Sequence, residues 1–417
     1  MSDSSWRSAV DLTARFVKKP ARLSHLLERL PESMDAGTRR RCQYLLHGVV
    51  RNWSFLESCL DERLRKRPRP GVWASLLVAN FELMDNEGDR PKVVDNAVGE
   101  IGRRYSSGER GLANAVLRRA SESMEGWLER EPVDGRTLAL RHSHPLWLVE
   151  RWIESFGFDA TRRLTVWNGQ EPELFALPLG DERGEDELGE PSPWRPYRSL
   201  KGVPWQSVQT AIDAKRVYIQ NPGARLAPTL LANRFEGGRI LDLCAAPGGK
   251  SLFLDRALGD QVEAIVAMDL AGPRMARMRS NFERLGSPAL HLREGDLFDA
   301  DPAELGQFEA VNLDAPCSNT GVMQRKPDVK WRLRAEDFGS LVELQRGMLR
   351  QASRFVLPGG WLLYSTCSID RDENVGVADS FLETAEGQRF DLVEAMTSLP
   401  WETGHDGAGA HLFRKRS

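Results

Sequence analysis

Gly237-Gly238-Arg239-Ile240-Leu241-Asp242-Leu243-Cys244-Ala245-Ala246-Pro247-Gly248-Gly249-Lys250-Ser251 decides how the rest of the chain is read. Ile240 to Leu243 is a short apolar run that suits a buried strand; small residues and a glycine pair break it, and Ser251-Leu252-Phe253-Leu254 starts a helical pattern. Strand, tight turn and helix follow one another. Glycines in such a turn let backbone approach a ligand, and the helix N-terminus offers unpaired N–H groups. G-x-G-x-x-G is absent, and Cys244 stands where a G-x-x-x-x-G-K-[ST] phosphate loop needs its first glycine. A plain dinucleotide or ATP site is therefore disfavoured.

Downstream of Lys201 the chain alternates strand and helix. Strands are expected at Arg239–Leu243, Glu263–Met268, Ala289–Arg293, Ala310–Leu313 and Trp361–Ser365, with a late pair near Phe390–Val393 and His411–Arg414. Such alternation predicts an α/β fold with a doubly wound, Rossmann-like parallel sheet that binds ligands at the carboxyl ends of its strands. Asp269, Asp296 and Asp314 fall at three consecutive strand ends. Asp269 is placed to hold ribose hydroxyls and Asp296 to accept from an exocyclic amino group. Three such acids beside a glycine turn favour an adenosine-bearing cofactor, and the turn spacing favours S-adenosylmethionine over NAD.

Two thiols, Cys317 in Asp314-Ala315-Pro316-Cys317-Ser318 and Cys367 in Ser365-Thr366-Cys367-Ser368, follow two of the apolar runs and are expected on the same rim. One cysteine at a strand end is usually a small packed residue; two at the cofactor side suggest chemistry. Pyrimidine C5 accepts a methyl group only after a thiolate adds to C6, and the adduct needs a carboxyl or similar donor at N3 and later a base. Spacing leaves open which thiol attacks.

Residues 6–130 read as helices throughout, with apolar residues three and four apart in Val10–Val17, Tyr44–Val50 and Leu76–Met84. Residues 1–130 carry 23 Lys and Arg against 18 Asp and Glu, whereas residues 131–417 carry 34 against 42. Arg39-Arg40-Arg41, the group Arg63, Arg65, Lys66, Arg67 and Arg69, and Arg118-Arg119 are cation clusters of the kind that neutralise phosphates. Residues 131–200 predict a linker and small substrate-binding subdomain: a helix from Pro145, a second towards Asn168, a strand over Leu174–Leu179 and a loop from Gly180 to Pro196. The expected domains are thus 1–130, 131–200 and 201–417.

Five cysteines without C-x-x-C spacing indicate neither a disulfide framework nor a metal site. No apolar run reaches the eighteen or so residues of a membrane span, and the first residues lack a signal-peptide core, so a cytoplasmic location is expected, without membrane or metal.

The first 125 or so residues resemble a NusB-type RNA-binding domain, through Arg39–Asn52, Pro91–Val98 and Leu112-Ala113-Asn114-Ala115-Val116-Leu117-Arg118-Arg119. The rest resembles the RsmB/Sun family of RNA 5-methylcytosine methyltransferases. Leu241–Lys250, Asp314–Val322, Arg325-Lys326-Pro327-Asp328-Val329-Lys330-Trp331, Tyr364–Ile369 and Glu373-Asn374 carry the likeness. The resemblance implies that Cys367 is the nucleophile and that Cys317 assists product release. It also implies that Cys244, Ala245, Ala246, Pro247, Gly248, Gly249, Lys250, Asp269, Asp296 and Asp314 line the S-adenosylmethionine site, with Asp314 near the base and Cys244 a packed residue. Arg325, Lys326 and Lys330 are candidate phosphate contacts. The implied substrate is small-subunit (16S) rRNA, methylated by a monomer; tRNA is the alternative substrate, and a non-catalytic RNA-binding or assembly factor the alternative class. Two segments depart from the family pattern: Gln220-Asn221-Pro222-Gly223-Ala224, where a Gln-Asp pair and a Ser are usual, and Phe175-Ala176-Leu177-Pro178, where Arg-Val-Asn is usual.

Overall fold

A computed structural model describes residues 4–179 and 188–417. They divide into two units: one holds residues 4–171 and 323–335, the other 172–179, 188–322 and 336–417.

The first unit is helical. Its central helix, Pro70–Asp85, is apolar almost all round, which suits a helix surrounded by others rather than lying on a surface. It takes Pro70 in its first turn, where a missing N–H costs nothing. Ala36–Arg51 runs against it at Gly48, where a Cβ would fall 2.0 Å from Phe81 Cζ, so only glycine permits this approach. Ser107–Leu128 starts with a capping box between Ser106 and Glu109. Glu109 also takes both nitrogens of Arg69 at 2.7 Å, and Arg67 pairs with Asp61 and Glu57. Part of the basic character read in the sequence is therefore neutralised within the unit.

Helices Gly135–Arg141, Leu146–Phe156 and Phe158–Gly169 belong to this unit, and Ser54 N donates to Ser143 Oγ at 2.9 Å. The expected 131–200 subdomain divides near residue 171: its helices lie in the first unit, with a small apolar cluster of their own at Leu138, Ala139 and Val149. The second half contributes to a small antiparallel sheet of order β2-β3-β1-β4, formed by β1 (Phe175–Pro178), β2 (Glu190–Pro191), β3 (Arg198–Ser199) and β4 (Val217–Ile219). This sheet crosses the expected boundary at residue 200. The loop expected over Gly180–Pro196 lies partly outside the described residues; within them, Glu190–Pro191 is strand, paired with β3.

The large sheet has the order β10-β11-β9-β8-β5-β6-β7, with β5 (Gly238–Leu243), β6 (Val262–Asp269), β7 (Leu290–Glu294), β8 (Phe308–Asp314), β9 (Val356–Thr366), β10 (Phe390–Ser398) and β11 (Ala408–Lys415). β5 to β9 are parallel; β11 runs antiparallel between β9 and β10. Alternation along each strand serves both faces. Leu241, Leu243, Val311, Leu313 and Leu362 pack with helices Asp337–Ser353 and Val375–Leu382. Ile240, Ile265, Ala310 and Leu363 pack with Leu226–Ala232 and Gly249–Leu258. Chain order reverses beside β5, whose neighbours are β6 and β8, and a doubly wound sheet opens its crevice at that point.

Candidate active site

β5 ends on the glycine turn. Cys244 has φ 56° and Gly248 φ 93°, and Gly248 caps helix Gly249–Leu258. A Cβ on Gly248 would lie 2.7 Å from Phe282 Cε1, so the turn is packed as well as twisted. Asp269 at the end of β6 fixes it: Oδ2 accepts from Ala246 N at 2.9 Å and Oδ1 from Leu270 N at 2.8 Å. Helix Pro273–Leu285 ties the other side, with Asn281 Nδ2 on Pro247 O at 2.9 Å and Arg274 Nη2 on Ala246 O. Asp296 is exposed and caps the next turn through Phe298 N at 3.0 Å.

Burial and the charges of Asp269 and Asp314 push the Cys244 thiol up to about 12. It stays neutral and packed. Asp242, which the sequence reading passed over, is wholly buried in β5, where it accepts from Ser251 Oγ at 2.5 Å and Asn312 Nδ2 at 2.6 Å. Burial raises its carboxyl to about 6. Its alternation with Leu241 and Leu243 hid it, since an acid inside an apolar run is legible only as an anomaly.

Asp314 ends β8 opposite Ser365 in β9. Lys250 Nζ lies 2.5 Å from Asp314 Oδ1 and 3.0 Å from Ser365 Oγ. The loops after these two strands bring the thiols together: Cys317 Sγ is 3.2 Å from Cys367 Sγ, which is 3.4 Å from Asn319 Oδ1. Asn319 adopts φ 62° and donates Nδ2 to Cys317 O at 2.7 Å. Cys367 O accepts from Gly321 N at 3.0 Å, and Gly321 O from Gly407 N at 2.8 Å. The Cys317 thiol is held well above its usual range, first by its hydrogen bond with Cys367, then by burial and the charges of Cys367 and Glu373.

The candidate phosphate contacts lie in segment 323–335 of the helical unit. Lys326 is exposed and Arg325 half-buried. Lys330 is not a surface cation: it is 1% exposed, and its Nζ donates to Arg51 O at 2.7 Å. Burial, then the charge of Arg51, pulls its ammonium well below the usual range. Trp331 Nε1 beside it donates to Val50 O at 2.7 Å. The phosphate role read for Lys330 is therefore corrected. In the departing segment, Asn221 Oδ1 accepts from Gly223 N at 3.0 Å and Asp406 N at 3.1 Å, an acceptor task that a carboxylate could also perform.

Among the described residues no group of three or more His, Cys, Asp or Glu is placed to hold a metal, and no helix is long and apolar enough to cross a membrane.

Residues 228–409 match the family model for the 16S rRNA methyltransferase RsmB/F, and residues 8–122 the model for the NusB family. Ribosomal RNA small subunit methyltransferase B of Vibrio cholerae is 32% identical over 391 residues, covering 88% of this chain and 86% of that one. The chain belongs to the RsmB/F methyltransferase family. A probable ribosomal RNA small subunit methyltransferase B of Bacillus subtilis is 28% identical over 81% of this chain and 78% of its own. The solved structure of PH0851 superposes with TM-score 0.76 and 21% identity, covering 100% of this chain and 99% of that one. A methyltransferase homolog from Pyrococcus horikoshii gives 0.57 and 20%, over 68% of this chain and 100% of that one. Both likenesses concern the fold.

The RsmB/F family is S-adenosylmethionine-dependent, and the residues at the crevice fit that cofactor. Each Asp269 oxygen retains a lone pair after its backbone bond, as a ribose diol requires. Leu270 and Phe298, next to the two acids, are 59% and 50% exposed, large apolar side chains of the kind that a purine ring covers.

Proposed function

We propose that this chain forms 5-methylcytosine in small-subunit rRNA, through a covalent bond between Cys367 and C6 of the target cytosine. One observation carries the reading: two thiols 3.2 Å apart at the ends of adjacent strands, beside the Lys250–Asp314 pair. Bound S-adenosylmethionine supplies an electrophilic methyl group. Cys367 Sγ, as thiolate, forms the bond to C6 and moves an electron pair onto the ring. A proton donated from the Lys250–Asp314 pair meets the charge that develops at N3, and C5 becomes nucleophilic. After methyl transfer a base takes the C5 proton, N3 returns its proton to the Lys250–Asp314 pair, and the C–S bond breaks, returning the electron pair to Cys367. Cys317 assists that release, with its thiol in contact with the departing sulfur.

Near full-length similarity to small-subunit rRNA methyltransferases supports rRNA over tRNA as the substrate. The assembled thiols and ion pair favour an enzyme over an RNA-binding factor. Small-subunit RNA assembled in the cytoplasm is the expected target.

RNA carrying 5-fluorocytosine tests the chemistry, because fluorine at C5 blocks the final proton loss. Wild-type protein is expected to form a covalent complex, Cys367→Ala none, with methyl transfer to normal RNA down at least a thousandfold, on the order of losing a nucleophile. Cys317→Ala is expected to accumulate adduct on ordinary RNA. Adduct with Cys367→Ala, or normal turnover with Cys317→Ala, overturns the respective role. Bisulfite sequencing of RNA from a strain lacking the protein, beside its parent, locates the base.

A further inference from the structure

Beneath the two thiols lies a carboxylate that the mechanism above does not use. Glu373 is 0% exposed. Its Oε1 accepts from Ser318 N at 2.8 Å and Gln345 Nε2 at 2.9 Å; its Oε2 accepts from Ser368 Oγ at 2.5 Å and from Ser318 Oγ. Ser318 directly follows Cys317, and Ser368 directly follows Cys367. One buried carboxylate thus clasps the residue after each cysteine. The two serines also meet, Oγ to Oγ, at 3.1 Å, and Thr320 Oγ1 is 2.9 Å from Ser368 Oγ. Neighbouring Asn374 differs: it bonds Thr366 Oγ1 and the carbonyls of Ser368 and Asp370, all in one loop.

We propose that Glu373 is a positioning residue that joins the two cysteine loops and sets the spacing and charge balance of the thiols for addition and release. This rests on the covalent reading above. The donor set demands a carboxylate: four donors converge on two oxygens, which an ionised acid accepts at once, whereas an amide would turn its own N–H groups on some of them. Burial makes the arrangement hard to replace, since no water reaches the serine hydroxyls once an acceptor is lost. The charge has a second effect. It lies close enough to Cys317 to add, after the Cys367 hydrogen bond and burial, to what keeps that thiol protonated. A thiol ready to give its proton is what release of the other sulfur calls for.

Glu373→Gln separates positioning from bulk stability. The expected result is a kcat at least a hundredfold lower, with KM for RNA within threefold. In the RNA-free enzyme, the pH midpoint of iodoacetamide alkylation at Cys317, read by peptide mass spectrometry, is expected to fall by at least one unit. A role in stability alone moves neither. Ser318→Ala and Ser368→Ala each remove one donor and leave the carboxylate in place, and are expected to lower kcat at least tenfold. They carry the test if Glu373→Gln does not fold. An unchanged alkylation midpoint, or a kcat within threefold of wild type in a folded variant, overturns the proposal. Failure of wild-type protein to form the 5-fluorocytosine adduct would instead sink the covalent reading, while the alkylation arm, which uses no RNA, still decides for Glu373.

Discussion

A primary amine without water around it titrates far below its usual range, and it makes a poor partner for a phosphate it cannot reach. Lys330 is such an amine, bonded to the Arg51 carbonyl 279 positions away in sequence. Lys330→Met is therefore expected to leave the salt dependence of RNA binding unchanged, whereas Lys326→Ala, at an exposed position nearby in the chain, is expected to reduce the slope of log K against log salt by about 1. Filter binding between low and physiological salt distinguishes them; a reduced slope for Lys330→Met would restore it as a phosphate ligand. The same contrast shows what a sequence displays at this scale. Cys317, Cys367, Asp269 and Asp314 stand out because each closes an apolar run, a local signal. The burial of Lys330 depends on contacts from the other end of the chain, and the clasp by Glu373 on three separated segments, so neither is visible locally.

At the scale of elements, the Pro-Cys loop is held by backbone on both sides at Gly321. A Cβ there would sit 2.6 Å from Gly407 O and 2.9 Å from Cys367 O, and no flexible side chain can yield. Gly321→Ala is expected to destabilise the second unit by about 2 kcal/mol through overpacking. It should also slow methyl transfer at least tenfold, because one of the two crowded carbonyls belongs to Cys367. Thermal unfolding and single-turnover assays read the two effects, and wild-type values in both would show that the loop can yield. The seven strands of the large sheet were legible from their apolar runs, with bounds off by a few residues. The antiparallel insertion of β11 was not, since runs do not encode direction. In the small sheet β1 is legible as the run Leu174–Leu179, whereas the strands of two and three residues are too short to show a period.

At the scale of the molecule, histidine burial gives the helical unit a response to acid. In the helical unit burial lowers the His142 imidazole to about 4 and holds that of His144 well below its usual 6.5. Folded-state values below the unfolded one mean that the unfolded chain binds more protons between about pH 6.5 and 4, so stability is present above that window and is lost as pH falls through it. His142 alone accounts for about 2 kcal/mol between pH 7 and 5. Hydrogen exchange in peptides from 135–169, corrected for intrinsic rates, is expected to show this loss, and His142→Asn to lessen it; pH-independent protection would contradict the burial of the ring.

Segment 323–335 bears on how the protein is made. Trp331 meets Trp53 edge to face and donates to the Val50 carbonyl, yet it is translated long after the helices it joins. A ribosome delivers the N-terminal helices first, and domains generally fold as they emerge. Here the head must wait, with an apolar seat open, until residue 335 has been added. The order of synthesis and the order of assembly therefore part company: the first unit is completed by a segment made after residues 172–322 of the second.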